Sequence, residues 1–150
     1  MALFMYKNEH FDEVVQIYVK AFTAPPLDYD FITSEKAARY IRDVIQAPGF
    51  LGYVYVNGSK TISFIFGAVD NYFDGTVFQI KEFAVDPKYQ RVGMGSIVLK
   101  ELEQKLAAFG VDAMNLNTSR HLPAYAFYLK NGYTEITENV SLMKMIKNET

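Results

Sequence analysis

Seven consecutive residues, Gln90-Arg91-Val92-Gly93-Met94-Gly95-Ser96, hold the densest chemistry in the sequence. A strand-like run, Ile80-Lys81-Glu82-Phe83-Ala84-Val85, leads into them and a helix-like run leaves them. Two closely spaced glycines let the main chain approach an anion and point successive N–H groups at it. The start of a helix adds partial positive charge, and Arg91 adds a full one. The combination suits a pyrophosphate. Two nucleotide-binding patterns fit it poorly. A P-loop ends in Gly-Lys-Ser/Thr, and Gly95-Ser96 lacks the lysine. The dinucleotide fingerprint needs a third glycine where Val98 stands, and a βαβ unit near the start of a parallel sheet. Here hairpin-like strands come first.

A second constellation follows at Ala124-Tyr125-Ala126-Phe127-Tyr128-Leu129-Lys130-Asn131-Gly132-Tyr133. Together the two segments resemble the GNAT superfamily of N-acetyltransferases. Gln90, Gly93 and Gly95 match its acyl-CoA loop, Gln/Arg-x-x-Gly-x-Gly/Ala, and Phe83-Ala84-Val85-Asp86-Pro87 is similar to its fourth strand and the turn after it. The later segment resembles the family's Ala-x-x-(apolar)-Tyr-x-x-x-Gly-Phe/Tyr signature. The resemblance implies acetyl-CoA as co-substrate. It implies cofactor contacts at Phe83, Ala84 and Val85, and along the loop at Gln90, Arg91, Val92, Gly93, Met94, Gly95 and Ser96. The family often carries an asparagine seven residues before the tyrosine. His121 occupies that position, and either replaces the contact or marks a different grip on the cofactor.

Direct transfer of acetyl from a thioester to an amine has three physical needs. The amine must lose a proton, the tetrahedral oxyanion needs donors, and the departing thiolate benefits from a proton. The resemblance implies a backbone N–H near Phe83, Ala84 or Val85 for the second need, on a splayed strand edge where the pantetheine arm pairs like an added strand. It makes Tyr128 the candidate general acid, since a phenol of pKa about 10 can protonate a thiolate. It makes Glu82 the candidate base, in the position used by the branch of the family with a strand-borne glutamate. Simple alternation puts Glu82 on one face with Phe78, Ile80 and Ala84, apolar company that raises a carboxylate's pKa.

In this fold the acceptor pocket is shaped by the loop between the first two helices and by strand ends opposite the cofactor. Asp28, Tyr29 and Tyr72 are the foremost candidates there, with Asp30, Asp70 and Asp74 nearby in sequence. Acidic and aromatic groups suit a cationic amine. Asp and Asn also favour turns for their own reasons. The Pro25-Pro26 loop and residues 47–54 loosely resemble the aminoglycoside 6′-type, small-amine branch. A second function class stays open: a CoA-binding sensor or scaffold without catalysis, against which Tyr128 and Glu82 argue. His10 and His121 have no partner at metal-ligand spacing, so no metal site is expected.

The elements that must position these groups follow from period and punctuation. Residues 3–6 read as a short strand. Asn8 reads as the cap of a helix with Phe11, Val14, Val15, Tyr18 and Phe22 inward, stopped by Pro25-Pro26. Thr33 or Ser34 caps a second helix with Ala37, Ile41, Val44 and Ile45 inward. Residues 50–56 and 60–69 flank Asn57-Gly58, a strong hairpin signal. A third strand spans 76–85. The helix after the loop buries Leu99, Leu102, Leu106 and Phe109 and stops at Gly110. Residues 113–118 read as a strand, Pro123 opens a short helix, and the alternation over 133–146 reads as one or two strands. The expectation is one α+β domain over residues 1–150, a GNAT-like, mixed, mostly antiparallel sheet of six to seven strands flanked by about four helices.

Half of the residues are hydrophobic and the net charge is −2, which gives no basic surplus for nucleic acid or an anionic membrane. With no cysteine, disulfides, thiolate metal sites and cysteine nucleophiles are excluded. No signal peptide and no apolar run near the ~20 residues of a membrane helix are legible, so a cytoplasmic location is expected. The tail strands make a homodimer plausible, by analogy with the family.

Overall fold

Aromatic and β-branched residues dominate 50–85, and this stretch folds back on itself twice to form the middle of a sheet. In the computed structural model, which describes residues 1–147, β1 (Ala2–Met5), β2 (Phe50–Asn57), β3 (Lys60–Tyr72) and β4 (Gly75–Val85) pair antiparallel in that order. A fifth strand, β5 (Ala113–Asn115), joins β4 in parallel. Asn57 pairs with Lys60, so the first hairpin turns on Gly58-Ser59, with Gly58 at φ +65°. Glycine reaches that left-handed region without a Cβ penalty.

Two helices lie before β2: α1 (Phe11–Thr23), which follows a 3₁₀ turn at Asn8–His10, and α2 (Ser34–Gln46). Asn8 is therefore inside the 3₁₀ turn rather than a cap, and the Lys7 N–H is held by His10 Nδ1 at 3.0 Å. Thr33 caps α2 as expected, its Oγ1 accepting from Lys36 N–H at 3.2 Å. One core joins Val14 and Ile17 of α1 and Ile41 of α2 to Phe64, Phe66 and Ala84 of the sheet. The opposite face receives α3 (Met94–Ala108), which packs on β1 and β4 and buries Leu99, Leu102 and Leu106. Phe109, expected on that stripe, is 70% exposed: it is the residue that ends the helix.

The chain divides into two compact units, Met1–Leu116 and Asn117 onward. The second contains α4 (Pro123–Lys130), opened by Pro123. There Glu135 takes a short ion pair from Arg120, 2.6 Å between Nη2 and Oε1, and a hydrogen bond from Tyr125 Oη at 3.0 Å.

The described residues form an α+β fold with four helices and a mixed sheet of five strands, not the six to seven expected. The shortfall lies in residues 133–146, which form no strand among the described residues. Alternation supplies a face but not a partner, and a strand exists only within a ladder. Val140, Leu142 and Ile146 are accordingly exposed.

Candidate active site

The end of β4 is fixed before the glycine loop begins. Asp86, almost fully buried, donates its N–H to Ile62 C=O at 2.8 Å, accepts from Lys88 N–H at 3.0 Å and lies 3.9 Å from Lys20 Nζ. These contacts set the 3₁₀ turn Pro87–Tyr89. Gln90 reaches back, its Nε2 donating to Val85 C=O at 2.8 Å. Its side chain thus braces the loop.

Beyond Gln90 the backbone is unusual. Arg91 sits at φ +65° and Gly93 at φ +80°, both left-handed, with Gly93 as the N-cap of α3. Only the glycine adopts this without strain. The first bond across the helix start runs from Ile97 N–H to Gly93 C=O, 3.1 Å. The N–H groups of Met94, Gly95 and Ser96 precede it and have no place in the helical ladder. Residues 90–96 contain no acidic side chain, and Arg91 is exposed. Amide donors, a helix dipole and one cation fit a pyrophosphate. Met94, the first residue of α3, is buried.

Upstream, β4 departs from regular pairing. Ile80 pairs with Gly67 but Glu82 pairs with Phe66, so Lys81 is an extra residue, a β-bulge. Cross-strand partners share a face. Phe78 and Ile80 therefore face α3, while Glu82 and Ala84 face α1 and α2 with Phe64 and Phe66. The expected grouping of Glu82 with Phe78 and Ile80 is corrected by this bulge, and the grouping with Ala84 stands. Gly67 is required here because a Cβ would lie 2.2 Å from Gln79 C=O and 2.6 Å from the Phe78 ring. Ser63 Oγ donates to Ala84 C=O at 2.8 Å and steadies the strand further.

Glu82 is partly buried, and its Oε1 accepts from Tyr40 Oη at 2.7 Å. Burial pushes the carboxyl above its ordinary value of 4.5, against the opposing pull of the Tyr40 hydrogen bond and the Lys81 charge. Burial, the bond to Glu82 and the nearby negative charge all raise Tyr40. Tyr18 is pushed up to about 12, by burial first and then by Glu82. Tyr40 and Tyr18 are functional candidates that the sequence reading passed over. The available signal was position: Tyr40 lies on the same helical stripe as Ala37, Ile41 and Val44.

An aromatic chain leads outward from this pair. Tyr18 contacts Tyr40 with ring centroids 5.8 Å apart and Phe22 at 4.5 Å, Phe22 stacks on Tyr29 at 6.4 Å, and Tyr29 meets Phe31 at 5.6 Å. Tyr29 is thus tied to Glu82 through rings. Asp28 is exposed in the same loop at φ +52°. Tyr72 is not brought to this group. It is 55% exposed beside the β3–β4 turn, and the six residues of β3 back to Phe66 span about 20 Å.

In the second unit, Tyr128 is buried on α4, with its ring 5.2 Å from Tyr133 and 5.1 Å from Phe127. His121 is exposed, and its N–H is 3.4 Å from Ser119 Oγ. No cluster of metal-ligating side chains occurs among the described residues, and no helix among them is long and apolar enough to cross a membrane.

A family model described as acetyltransferase (GNAT) family matches residues 11–133. No curated protein matches significantly. Among solved structures, a "possible acetyltransferase" from Clostridium difficile 630 is similar with a TM-score of 0.78 at 13% identity, over 97% of this chain and 98% of that one. An aminoglycoside 6′-N-acetyltransferase from Acinetobacter haemolyticus gives a TM-score of 0.71 at 12% identity, over 98% and 100%. An aminoglycoside acetyltransferase from an uncultured soil metagenomic sample, in complex with sisomicin, gives 0.72 at 14%, over 97% and 96%. At such identities the likeness is one of fold.

Proposed function

The chain belongs to the acetyltransferase (GNAT) family, and from that premise we propose that it moves acetyl from acetyl-CoA directly to a primary amine, with residues 1–150 acting as one acetyltransferase domain. The observation that carries the reading is the loop Gln90–Ser96, where two left-handed residues and the start of α3 gather amide donors after a bulged strand bearing Glu82.

When bound, acetyl-CoA supplies an activated acetyl thioester. The N–H groups of Gly93, Met94, Gly95 and Ser96, together with Arg91, hold its diphosphate. Phe83, Ala84 and Val85, at the end of β4, would hold its pantetheine arm through their main chain. Glu82 accepts a proton from the incoming ammonium, directly or through water, and so exposes the nitrogen lone pair. As the N–C bond forms and the C–S bond breaks, Tyr128 Oη would give a proton to the departing sulfur and be reprotonated by the second proton that the acylated nitrogen sheds, while Glu82 passes the first to solvent. Asp28, Tyr29 and the rings behind them receive a small cationic acceptor, which the fold of the aminoglycoside acetyltransferases supports as a class.

The test is release of CoA thiol from acetyl-CoA in the presence of a monoamine, spermidine, kanamycin and a lysine peptide. The chain contains no cysteine, so a thiol reagent reads only the product. Thiol release that depends on one of these amines is expected. Thermal stabilisation by acetyl-CoA without turnover on any amine would instead favour a CoA sensor, and stabilisation by ATP alone would end the reading.

A further inference from the structure

The Glu82 carboxylate has two oxygens in different circumstances. Oε1 accepts the 2.7 Å hydrogen bond from Tyr40 Oη. Oε2 has no hydrogen-bond partner among the described residues. It is also not sealed: the buried side-chain atoms lacking a partner among those residues are Tyr6 Oη and Asn115 Oδ1. One oxygen is held and the other is open.

Tyr40 itself is not free to wander. Its helix is capped by Thr33 and seated in the core through Ala37, Ile41 and Val44. Its ring lies against Tyr18 of α1. Among the described residues, the two helices facing Glu82 bring it the phenols of Tyr40 and Tyr18, and the charge that acts on it is that of Lys81 in its own strand. Phe66, its partner in β3, offers only a ring. Both phenols are pushed above their ordinary range by burial, so Tyr40 keeps its proton and donates it at neutral pH.

We propose that Tyr40 is a positioning residue which claims Oε1 of Glu82 and leaves Oε2 as the single oxygen that meets the acceptor amine. The proposal rests on the reading of Glu82 as base. A carboxylate on a flexible two-carbon stem samples several rotamers. A hydrogen bond from a seated helix selects one and favours the ionised form that a base needs. Nothing in the chemistry of Tyr40 is consumed; it acts through Glu82.

The experiment follows the Glu82 carboxyl carbon by NMR in isotope-labelled protein, with its signal assigned by loss in Glu82→Gln. Wild type, Tyr40→Phe and Tyr55→Phe are compared. Tyr55 is the control because its Oη donates to another glutamate, Glu101, at 3.1 Å on the opposite face. In Tyr40→Phe the titration of Glu82 should move to higher pH, and in Tyr55→Phe it should not. The acidic limb of kcat/KM, measured with acetyl-CoA and the best amine of the panel above, should move with it. The kcat should fall about 10- to 100-fold while KM for acetyl-CoA holds. In a Glu82→Gln background, Tyr40→Phe should add nothing. A wild-type titration and kcat in Tyr40→Phe overturn the proposal while leaving Glu82 as base. A wild-type pH profile in Glu82→Gln sinks both. If Tyr40→Phe does not fold, the Tyr40 hydroxyl proton of the wild type decides. Its resonance must shift as Glu82 titrates, and a static signal refutes the coupling.

Discussion

Replacing Gly93 by alanine separates what the backbone needs from what the ligand needs. Gly93 lies at φ +80° and ψ 9°, and a Cβ there would meet nothing within 4 Å. Gly58, in the β2–β3 turn, lies at φ +65° with the same open surroundings. Neither substitution causes a clash within the protein, so each costs only the left-handed strain of a non-glycine residue, about 1–2 kcal/mol. For a chain of this length that lowers Tm by about 2–8 °C, equally in both. The difference is in front of the loop. At Gly93 the new methyl group stands among the amide donors at the start of α3, where it holds a phosphate oxygen off. Losing one hydrogen bond to a charged oxygen costs about 1.5–3 kcal/mol, or about 10- to 150-fold in affinity. Thermal melts and calorimetric titration of acetyl-CoA measure both quantities. Gly93→Asn sharpens the comparison, because asparagine tolerates the left-handed region: Tm should recover and affinity should not. If Gly93→Ala shows the Gly58-like drop in Tm but binds acetyl-CoA within twofold of wild type, the loop does not cradle the diphosphate.

Three further outcomes are expected. Tyr128→Phe should lower kcat by about 10²–10⁴ with KM for acetyl-CoA retained; steady-state kinetics giving an unchanged kcat removes Tyr128 from the mechanism. The folded-state pKa of Glu82 is raised above 4.5, so its favourable contribution to stability is present below that pH and is lost as pH rises through the folded value. Glu82→Gln should therefore gain in Tm relative to wild type between pH 4 and pH 8, and a pH-independent difference contradicts the burial of the charge. Gly67→Ala should destabilise by about 1–3 kcal/mol, since the Cβ would lie 2.2 Å from the Gln79 carbonyl oxygen, a main-chain atom of the paired strand; a denaturation midpoint equal to wild type means that β3 and β4 are not paired in the register found.

Much of this arrangement was legible because its signals are local. Prolines end α1 and open α4, Thr33 caps α2, and two glycines mark the entry to α3. The face of Glu82 was not legible. Phe78, Ile80, Glu82 and Ala84 alternate without interruption in the sequence, and the surplus residue appears only once Gly67 and Phe66 define the pairing. Tyr40 is 42 residues from Glu82, and no local pattern links them. The tail failed for a related reason: Ile136, Val140 and Leu142 have strand composition, but pairing is a property of two segments. Tyr72 and Tyr29 looked alike as aromatic loop residues, and only the length of β3 separates them.

The bulge at Lys81 has a mechanical outcome beyond choosing a face. An extra residue bends its strand and tightens the local twist. β4 keeps company with β5 only as far as Gln79, two positions earlier. One surplus amino acid thus places a bend and a change of twist in β4 between its last β5 partner and Glu82, built into the residue count of β3 and β4 and not into a movable segment.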